Sequence, residues 1–330
     1  MKRVGNLLEQ VVSYENLRTA FRLAMRGCGR TEATCRFFFH LEPELLRLQK
    51  ELETGAYRPG AYRLFIVNDP KKRTIAEAPF RDRIVHHAVV RVLTPVYEPL
   101  FIHDSYATRP AKGTHAAVLR ARELLRNYPW YFKSDIEKYF ESVDHGVLLE
   151  ILHRKLKDRR FLDLMERIIR NAPVPGKGLP IGNLTSQFLA NVYLDRFDHM
   201  LRDGLKARGY IRYMDDLVLF GDSRRYLAEL RTPVEEYLSE KLGLELKASA
   251  TCLNRSSHGL SFLGMRIFRG LIRVKRENRR RSIRRLKERI KAWERGDLDE
   301  ESLIHGMVST VGHLRYFCPK APIPLGTGAE

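Results

Sequence analysis

Two adjacent aspartates beside an apolar run constrain this chain more than any other feature. Asp215 and Asp216 directly precede residues 217–220, whose sequence Leu-Val-Leu-Phe predicts a buried strand. Like charges side by side raise each other's pKa, so such a pair needs a cation to offset it. A divalent ion held by oxygen ligands is the usual partner of clustered carboxylates. The pair therefore predicts a metal-dependent site at the end of a strand.

A third acidic residue stands in a similar setting earlier in the chain. Asp135 follows the run Tyr131-Phe132-Lys133-Ser134, which also predicts a strand. Two strands ending at one point would bring Asp135 to the aspartate pair and create a two-metal site for phosphoryl or nucleotidyl transfer. Each aspartate alone is equally compatible with a turn or a helix cap. The two motifs together favour the catalytic interpretation.

The charge balance points to a polyanionic partner. The 330 residues include 59 Lys and Arg against 40 Asp and Glu, a net charge of +19. This excess favours nucleic acid, although an anionic membrane surface fits the charge alone. No apolar run reaches the length of a membrane span, and the four cysteines lack metal-ligand spacing. We therefore expect a soluble cytoplasmic protein with free thiols at Cys28, Cys35, Cys252 and Cys318.

Apolar periodicity predicts a mixed order of helices and strands. The first 55 residues have helical spacing, and the cationic group Lys71-Lys72-Arg73 predicts a hairpin with a basic tip or a solvated turn. Thr114 and Asp144 are expected to be helix N-caps. Helices are predicted over 82–97, 145–157, 184–201 and 224–241, and strands over 61–67, 244–248 and 260–268.

The composition changes near residue 270. Residues 273–295 are rich in Arg and Lys, with Ile283, Leu286 and Ile290 at helical spacing. This pattern predicts an amphipathic basic helix. Its cationic face is either simply solvated or grips nucleic acid, and the neighbouring aspartate motifs favour the second interpretation.

The order of these motifs resembles that of reverse transcriptases. Residues 212–216, Arg-Tyr-Met-Asp-Asp, look like the catalytic Y-x-D-D box of that family, and residues 133–140 look like its first metal-binding motif. Phe262-Leu263-Gly264 resembles its primer-grip turn. The resemblance implies an α+β right-hand polymerase: fingers and palm built of an antiparallel sheet with packed helices, and a C-terminal helical thumb. The expected divisions are an N-terminal helical segment 1–54, fingers and palm 55–270, and a basic thumb 271–330.

The resemblance also implies a ligand set and a substrate site. Asp135 and Asp215 would be the principal ligands of two Mg²⁺ ions, with Asp216 shaping the site and the carbonyl of Ile136 completing a shell. The residues expected at the incoming dNTP are Lys72, Arg73, Phe140 and Ile181. Lys72 and Arg73 would meet the triphosphate. Phe140, which could also be a core aromatic, would exclude a 2′-hydroxyl.

Ile181 narrows the resemblance to one branch of the family. Most reverse transcriptases have Gln before Gly182, whereas residues 181–187 here are Ile-Gly-Asn-Leu-Thr-Ser-Gln, similar to the enzymes of diversity-generating retroelements. That branch copies a template RNA into cDNA with errors opposite adenine and works with a small helical, oligomeric accessory protein. Group II intron, retron, CRISPR-associated and phage-defence reverse transcriptases remain alternatives, as does a non-catalytic nucleic-acid-binding module.

Further cationic residues are expected to contact the template RNA or the cDNA duplex. They are Arg81, Arg83, Arg109, Lys112, Lys247, Arg279, Arg280, Arg284 and His313. For Arg81 and Arg83, a partly buried helix with Asp82 paired to an arginine is an equally reasonable interpretation. Lys247 is also a candidate general acid, but the position at which the family places that lysine corresponds to Ala250, so the general acid is left unassigned.

Overall fold

A four-stranded antiparallel sheet organises the structure, a computed structural model that describes residues 3–26, 31–68 and 71–317. Two smaller antiparallel sheets, one of two strands and one of three, accompany it. The strands are β1 (Arg63–Val67), β2 (Arg73–Glu77), β3 (Trp130–Asp135), β4 (Gly209–Tyr213), β5 (Asp216–Gly221), β6 (Cys252–Arg255), β7 (Leu260–Phe262), β8 (Met265–Ile267) and β9 (Ile272–Val274). The fold is therefore mixed α/β with antiparallel sheets.

Helices surround the sheets and dominate both ends of the described chain. They are α1 (Leu7–Val12), α2 (Tyr14–Met25), α3 (Glu32–Phe39), α4 (Leu41–Glu53), α5 (Phe80–Tyr97), α6 (Thr114–Asn127), α7 (Tyr139–Ser142), α8 (His145–Lys155), α9 (Arg159–Arg170), α10 (Leu184–His199), α11 (Arg224–Leu242), α12 (Arg276–Glu294) and α13 (Glu300–Phe317). The helices predicted from apolar periodicity are confirmed. None of these helices has the combined length and apolar character that crossing a membrane requires.

The central sheet has the strand order β4-β5-β3-β6 and is buried on both faces. Leu217 and Leu219 pack into the larger core with α5, α10 and α11, whereas Val218 and Phe220 pack into a second core with α6. This explains why residues 217–220 are continuously apolar: a strand covered on both sides has no solvent face to make polar.

The antiparallel register places the acidic residues together. In the pairing of β3 with β5, Asp135 lies opposite Asp216, and Ile136 N donates to Asp215 O at 3.1 Å. The strand ends that were expected to meet therefore do meet.

Two local predictions need correction. Thr114 is the first residue of α6 and not its cap, because Gly113 occupies the cap position with φ of 108°, a conformation that glycine tolerates. No strand forms over 244–248: Leu246 makes a single bridge with Ile136, and a short 3₁₀ turn follows at Ala248–Ala250. The N-cap at Asp144 is confirmed, since its side chain accepts from Val147 N at 3.0 Å.

The hairpin of β1 and β2 stands apart from the cores. All five residues of β1 are exposed, and in β2 only Ala76 is buried. The hairpin prediction is confirmed, although residues 69–70 of its tip lie outside the described part of the chain. The predicted basic helix is also confirmed as α12, on which only Leu286 is buried.

Candidate active site

A cleft of about 640 Å³ opens where the aspartate-bearing strands end. Its walls come from the β1–β2 hairpin, the Ala107–Thr108 segment, the β3–α7 segment, the 181–187 loop and helix start, and the β4–β5 turn, with Lys247 and Leu263 at its edge. Nine residues predicted from the sequence line this cleft: Lys72, Arg73, Asp135, Ile136, Phe140, Ile181, Asp215, Asp216 and Lys247. The structure thus brings together residues that are widely spaced in the chain.

Three aspartates of the cleft, Asp135, Asp215 and Asp216, are close enough to influence one another in a partly buried setting. Burial, followed by the charges of Asp215 and Asp216, raises the pKa of Asp135 to about 6. Burial also raises the pKa of Asp215 and of Asp216, while nearby cations oppose the shift. For Asp215 those cations are Arg73 and Lys71. Burial thus disfavours the charged forms of these carboxylates, and a bound cation would offset this cost.

Lys133 is a functional candidate that the sequence analysis missed. Its Nζ lies 2.8 Å from Asp216 Oδ1 and 6.0 Å from the centroid of the Phe262 ring. Lys133 lies two residues before Asp135 on β3, and the β3–β5 register brings it beside Asp216. Asp216 thus has a counter-ion of its own, whereas Asp135 and Asp215 depend on more distant cations. The alternation of β3 and the adjacent Asp pair were the only signals that could have revealed this contact.

The donor set fits Mg²⁺ when the ion shares its ligands with a substrate. Within the described residues, no three His, Cys, Asp or Glu side chains are grouped closely enough to hold an ion by themselves. Mg²⁺ keeps several waters and takes one or two carboxylates together with substrate phosphates. Asp135 and Asp215 supply two such carboxylates at one point of the cleft, and the Ile136 backbone lies beside them.

The loop before α10 is fastened to the β1–β2 hairpin. Ala76 N donates to Ile181 O at 2.9 Å, and Asn183 Nδ2 donates to Ala76 O at 2.8 Å. Between these two bonds, Gly182 has φ of 110°, and a Cβ there would lie 2.8 Å from Ile75 Cγ2. Only glycine fits this approach, so the backbone fixes the place at which the Ile181 side chain meets the cleft.

A second polar pair lines the cleft beside the first. Lys247 Nζ lies 3.1 Å from both carboxylate oxygens of Glu137, and Lys247 N donates to Asp135 O at 2.7 Å. The absence of a strand here leaves Lys247 on an irregular segment that reaches the cleft. Phe140 is half-buried at the cleft wall, with its ring 5.6 Å from that of Tyr139.

Backbone strain concentrates around this cleft. Of the non-glycine residues with positive φ in the described chain, four line it, with φ between 45° and 54°. They are Thr108, Lys138, Met214 and Leu263. Such conformations cost free energy and persist only where surrounding contacts enforce them, commonly at functional sites.

Four of the predicted nucleic-acid contacts are engaged within the protein. The Arg109 side chain is 6% exposed, binds the Glu98 carboxylate and donates to two backbone carbonyls. Lys112 donates to His103 O and lies over the Tyr106 ring. Arg81 pairs with Glu51, and Arg83 pairs with Glu77 at 3.5 Å. None of the four lines the cleft.

The remaining predicted contacts lie on the C-terminal helices. Arg279, Arg280 and Arg284 are on α12, and Arg280 and Arg284 line a shallow groove along that helix. His313 lies on α13, but its side chain is outside the described part of the structure.

The region that contains the cleft matches a known protein family. The sequence profile of the reverse transcriptase (RNA-dependent DNA polymerase) family matches residues 68–267, which include every strand of the central sheet. Protein YkfC of Escherichia coli is 27% identical, over 81% of this chain and 84% of that protein.

Two proteins encoded by introns are also similar. The group II intron-encoded protein LtrA of Lactococcus lactis is 26% identical over 48% of this chain. The putative COX1/OXI3 intron 2 protein of Saccharomyces cerevisiae is 21% identical over 67% of it. The chain spans only 28% of the first protein and 33% of the second.

Proposed function

The chain belongs to the reverse transcriptase (RNA-dependent DNA polymerase) family, and from this we propose that it copies a template RNA into cDNA at the cleft described above. The observation that carries the proposal is the convergence of Asp135 and Asp215 at the ends of neighbouring strands, inside the matched region. A non-catalytic binding module has no need of three carboxylates that would repel phosphate.

We assign the parts of a right-hand polymerase to the elements as follows. The central sheet with α10 and α11 is the palm, the β1–β2 hairpin belongs to the fingers, and α12 with α13 forms the thumb. This assignment places the aspartates on the palm and the exposed cations of α12 where a product duplex would lie. An RNA–DNA hybrid approaches A-form, so such a helix would grip its backbone by shape and charge.

The residues of the cleft have distinct parts in the proposed reaction. Asp135 and Asp215 would hold two Mg²⁺ ions, which supply activation of the primer 3′-hydroxyl and stabilisation of the triphosphate. Lys72 and Arg73 orient the triphosphate from the hairpin, Arg73 through its planar fork. Phe140 lies at the cleft wall, where an aromatic ring would exclude a ribose 2′-hydroxyl. Lys133 neutralises Asp216, so the third carboxylate shapes the site without competing for the ions.

We further propose that the chain is of the diversity-generating type. Ile181 supports this assignment, because an apolar, β-branched side chain replaces a polar contact beside the nascent base pair, and reduced checking of template adenine would follow. This type also implies a small helical, oligomeric accessory protein. The net charge of +19 would suit such a partner if it is acidic or bound to RNA. The similarity to group II intron proteins favours a second candidate, an intron-type enzyme of ordinary fidelity.

Primer extension separates the two candidates. The wild-type chain, with Mg²⁺ and four dNTPs on a defined RNA template, is expected to make cDNA whose errors concentrate opposite adenine. Ile181→Gln is expected to lower those errors several-fold, while Ile181→Val, which keeps the branched apolar surface, leaves them unchanged. Faithful synthesis by the wild type would reject the diversity-generating type and favour the intron type. Synthesis no greater than that of Asp215→Asn would reject the polymerase itself.

A further inference from the structure

A buried guanidinium lies beneath the catalytic turn. Arg212 has no exposed side-chain surface, and neither has Asp198 of α10, with which it forms a two-pronged ion pair. Arg212 Nε lies 2.7 Å from Asp198 Oδ1, and Nη2 lies 2.5 Å from Oδ2. An arginine has five N–H donors in a rigid plane. Two of those of Arg212 bind Asp198, and the other three bind acceptors on other residues.

One of those bonds reaches the turn that carries the catalytic aspartates. Arg212 Nη1 donates to the carbonyl of Met214 at 3.2 Å. Met214 has φ of 54°, a left-handed conformation that costs a side-chain-bearing residue about 1 kcal/mol or more. Asp215 follows directly, so the direction of the Met214 carbonyl sets the start of the peptide unit that presents Asp215 to the cleft.

A second bond leads towards another segment that lines the cleft. Arg212 Nη1 also donates to Asn191 Oδ1 at 3.2 Å. The amide of Asn191 in turn donates to Ala107 O at 2.8 Å and to Thr108 Oγ1 at 3.1 Å. Ala107 and Thr108 line the cleft, and Thr108 has φ of 51°. The same guanidinium is thus connected to two strained residues on two walls.

The remaining bond completes the use of all five donors. Arg212 Nη2 donates to Ser105 Oγ at 3.2 Å, in the segment that leads to Ala107. The backbone supports the same arrangement, because Arg212 N donates to Asp104 O and Tyr106 N donates to Arg212 O.

We propose that Arg212 is a positioning residue, which holds the Met214–Asp215 turn and the Ala107–Thr108 wall at a fixed separation. The inference rests on the proposed function, because it concerns the geometry of the same cleft. Stability alone does not account for such a pair: replacing both members of a buried ion pair by apolar residues is often neutral or stabilising. A lysine would keep the charge, but it has no planar fork to serve several acceptors at once.

The test separates positioning from folding by removing both charges together. The double variant Arg212→Met with Asp198→Leu removes both charges of the pair together and is expected to remain folded, with a cooperative urea transition. Its affinity for Mn²⁺ bound together with a dNTP, measured by electron paramagnetic resonance without RNA, is expected to fall about tenfold. A folded double variant with wild-type Mn²⁺ affinity would overturn the proposal.

Two further variants divide the network. Arg212→Lys is expected to lower kcat about tenfold, with the KM for dNTP within about twofold, because the turn loses its donor while the substrate contacts remain. Tyr210→Phe is the matched control: it removes a 2.7 Å hydrogen bond to Asp198 but does not contact Met214 or Asn191, so its kcat should stay within about twofold of the wild type. An equal loss of kcat in both variants would show that the ion pair has a purely structural role and would overturn the proposal.

A variant outside the ion pair covers the case in which the double variant does not fold. Asn191→Leu leaves Arg212 and Asp198 paired and removes only the link to Ala107 and Thr108. It is expected to raise the KM for dNTP about fivefold, and an unchanged KM would overturn the proposed link. Failure of the wild type to extend primers would instead count against the proposed function, while the Mn²⁺ titration still reports on Arg212.

Discussion

Arginine has opposite surroundings in the central sheet and in α12. On β4, Arg212 has no exposed surface and its five donors all bind protein acceptors. On α12, seven Arg and two Lys stand against three Glu, and Leu286 alone is buried. The first arrangement binds the arginine wholly within the protein, whereas the second leaves most of its cations at the surface, where an outside partner could reach them. Changes in the sheet should therefore alter chemistry, and changes on the helix should alter salt-dependent binding.

The largest expected effect comes from Asp215, the proposed metal-binding carboxylate. Asp215→Asn keeps the shape of the side chain but removes the charge that would hold a metal ion, so primer extension is expected to fall at least about a thousandfold. Duplex affinity should change less than about threefold. Single-turnover extension and a binding assay at one salt concentration measure the two quantities. Glu141→Gln, which alters another carboxylate of the same cleft, should lower extension far less, and a similar loss there would contradict a specific part for Asp215.

Lys133→Met is expected to have the next largest effect. It leaves Asp216 without its counter-ion beside two other carboxylates, which should destabilise the metal-free protein by about 1–3 kcal/mol. Added Mg²⁺ should recover part of that loss. Urea unfolding with and without Mg²⁺ measures both effects. Lys247→Met is the control, because its pair with Glu137 is more exposed, and a loss as large as that of Lys133→Met would contradict the difference in burial.

On the helix side, the expected change is in salt dependence. Arg280→Gln with Lys287→Gln removes two cations of the α12 groove. If each contacts a phosphate, the slope of log K against log salt should become shallower by about one unit per residue, and affinity should fall about tenfold. Titrations at several salt concentrations measure this slope. Arg225→Gln on α11, where Arg225 pairs with Glu229 at 2.8 Å, should leave the slope unchanged.

The smallest expected effect concerns His86 on α5. Like Arg212 it is buried, but it forms no ion pair with any residue that the structure describes, so it shows what burial does to a titratable side chain. It is 2% exposed, and burial lowers its pKa from 6.5 to about 4. The unfolded chain therefore takes up a proton as the pH falls through 6.5, while the folded chain does not, so stability is lost as the pH falls. Between pH 7.5 and 6 the loss is about 0.8 kcal/mol by linkage. His86→Gln should remove that part of the slope in urea unfolding, and an unchanged slope would contradict the assignment.

Local patterns were sufficient to predict much of the site. The aspartates, the hairpin cations, Phe140 and Ile181 each stand in a short segment whose residue types indicate its chemistry, and all of them line the cleft. The helices were predictable for the same reason, since apolar periodicity is a property of neighbouring positions. The continuous apolar run before Gly221 also indicated a strand covered on both faces.

Contacts between distant elements could not be predicted in the same way. The pairing of Lys133 with Asp216 depends on the β3–β5 register, and that of Arg212 with Asp198 depends on how α10 packs under β4. Arg109 stands in a basic segment that resembles a nucleic-acid contact, but the fold places Glu98 beside it. The sequence shows which side chains are charged, but only the folded structure shows which group each of them contacts.

The bonds between the hairpin and the Ile181 loop have a mechanical consequence. Both the N–H and the C=O of Ala76 are bonded to residues 181–183, and Gly182 leaves no gap against Ile75. We therefore expect the hairpin and the loop to move together. If the hairpin closes around a nucleotide, the Ile181 loop should move with it. The nucleotide and its base pair with the template would then be enclosed in the same movement.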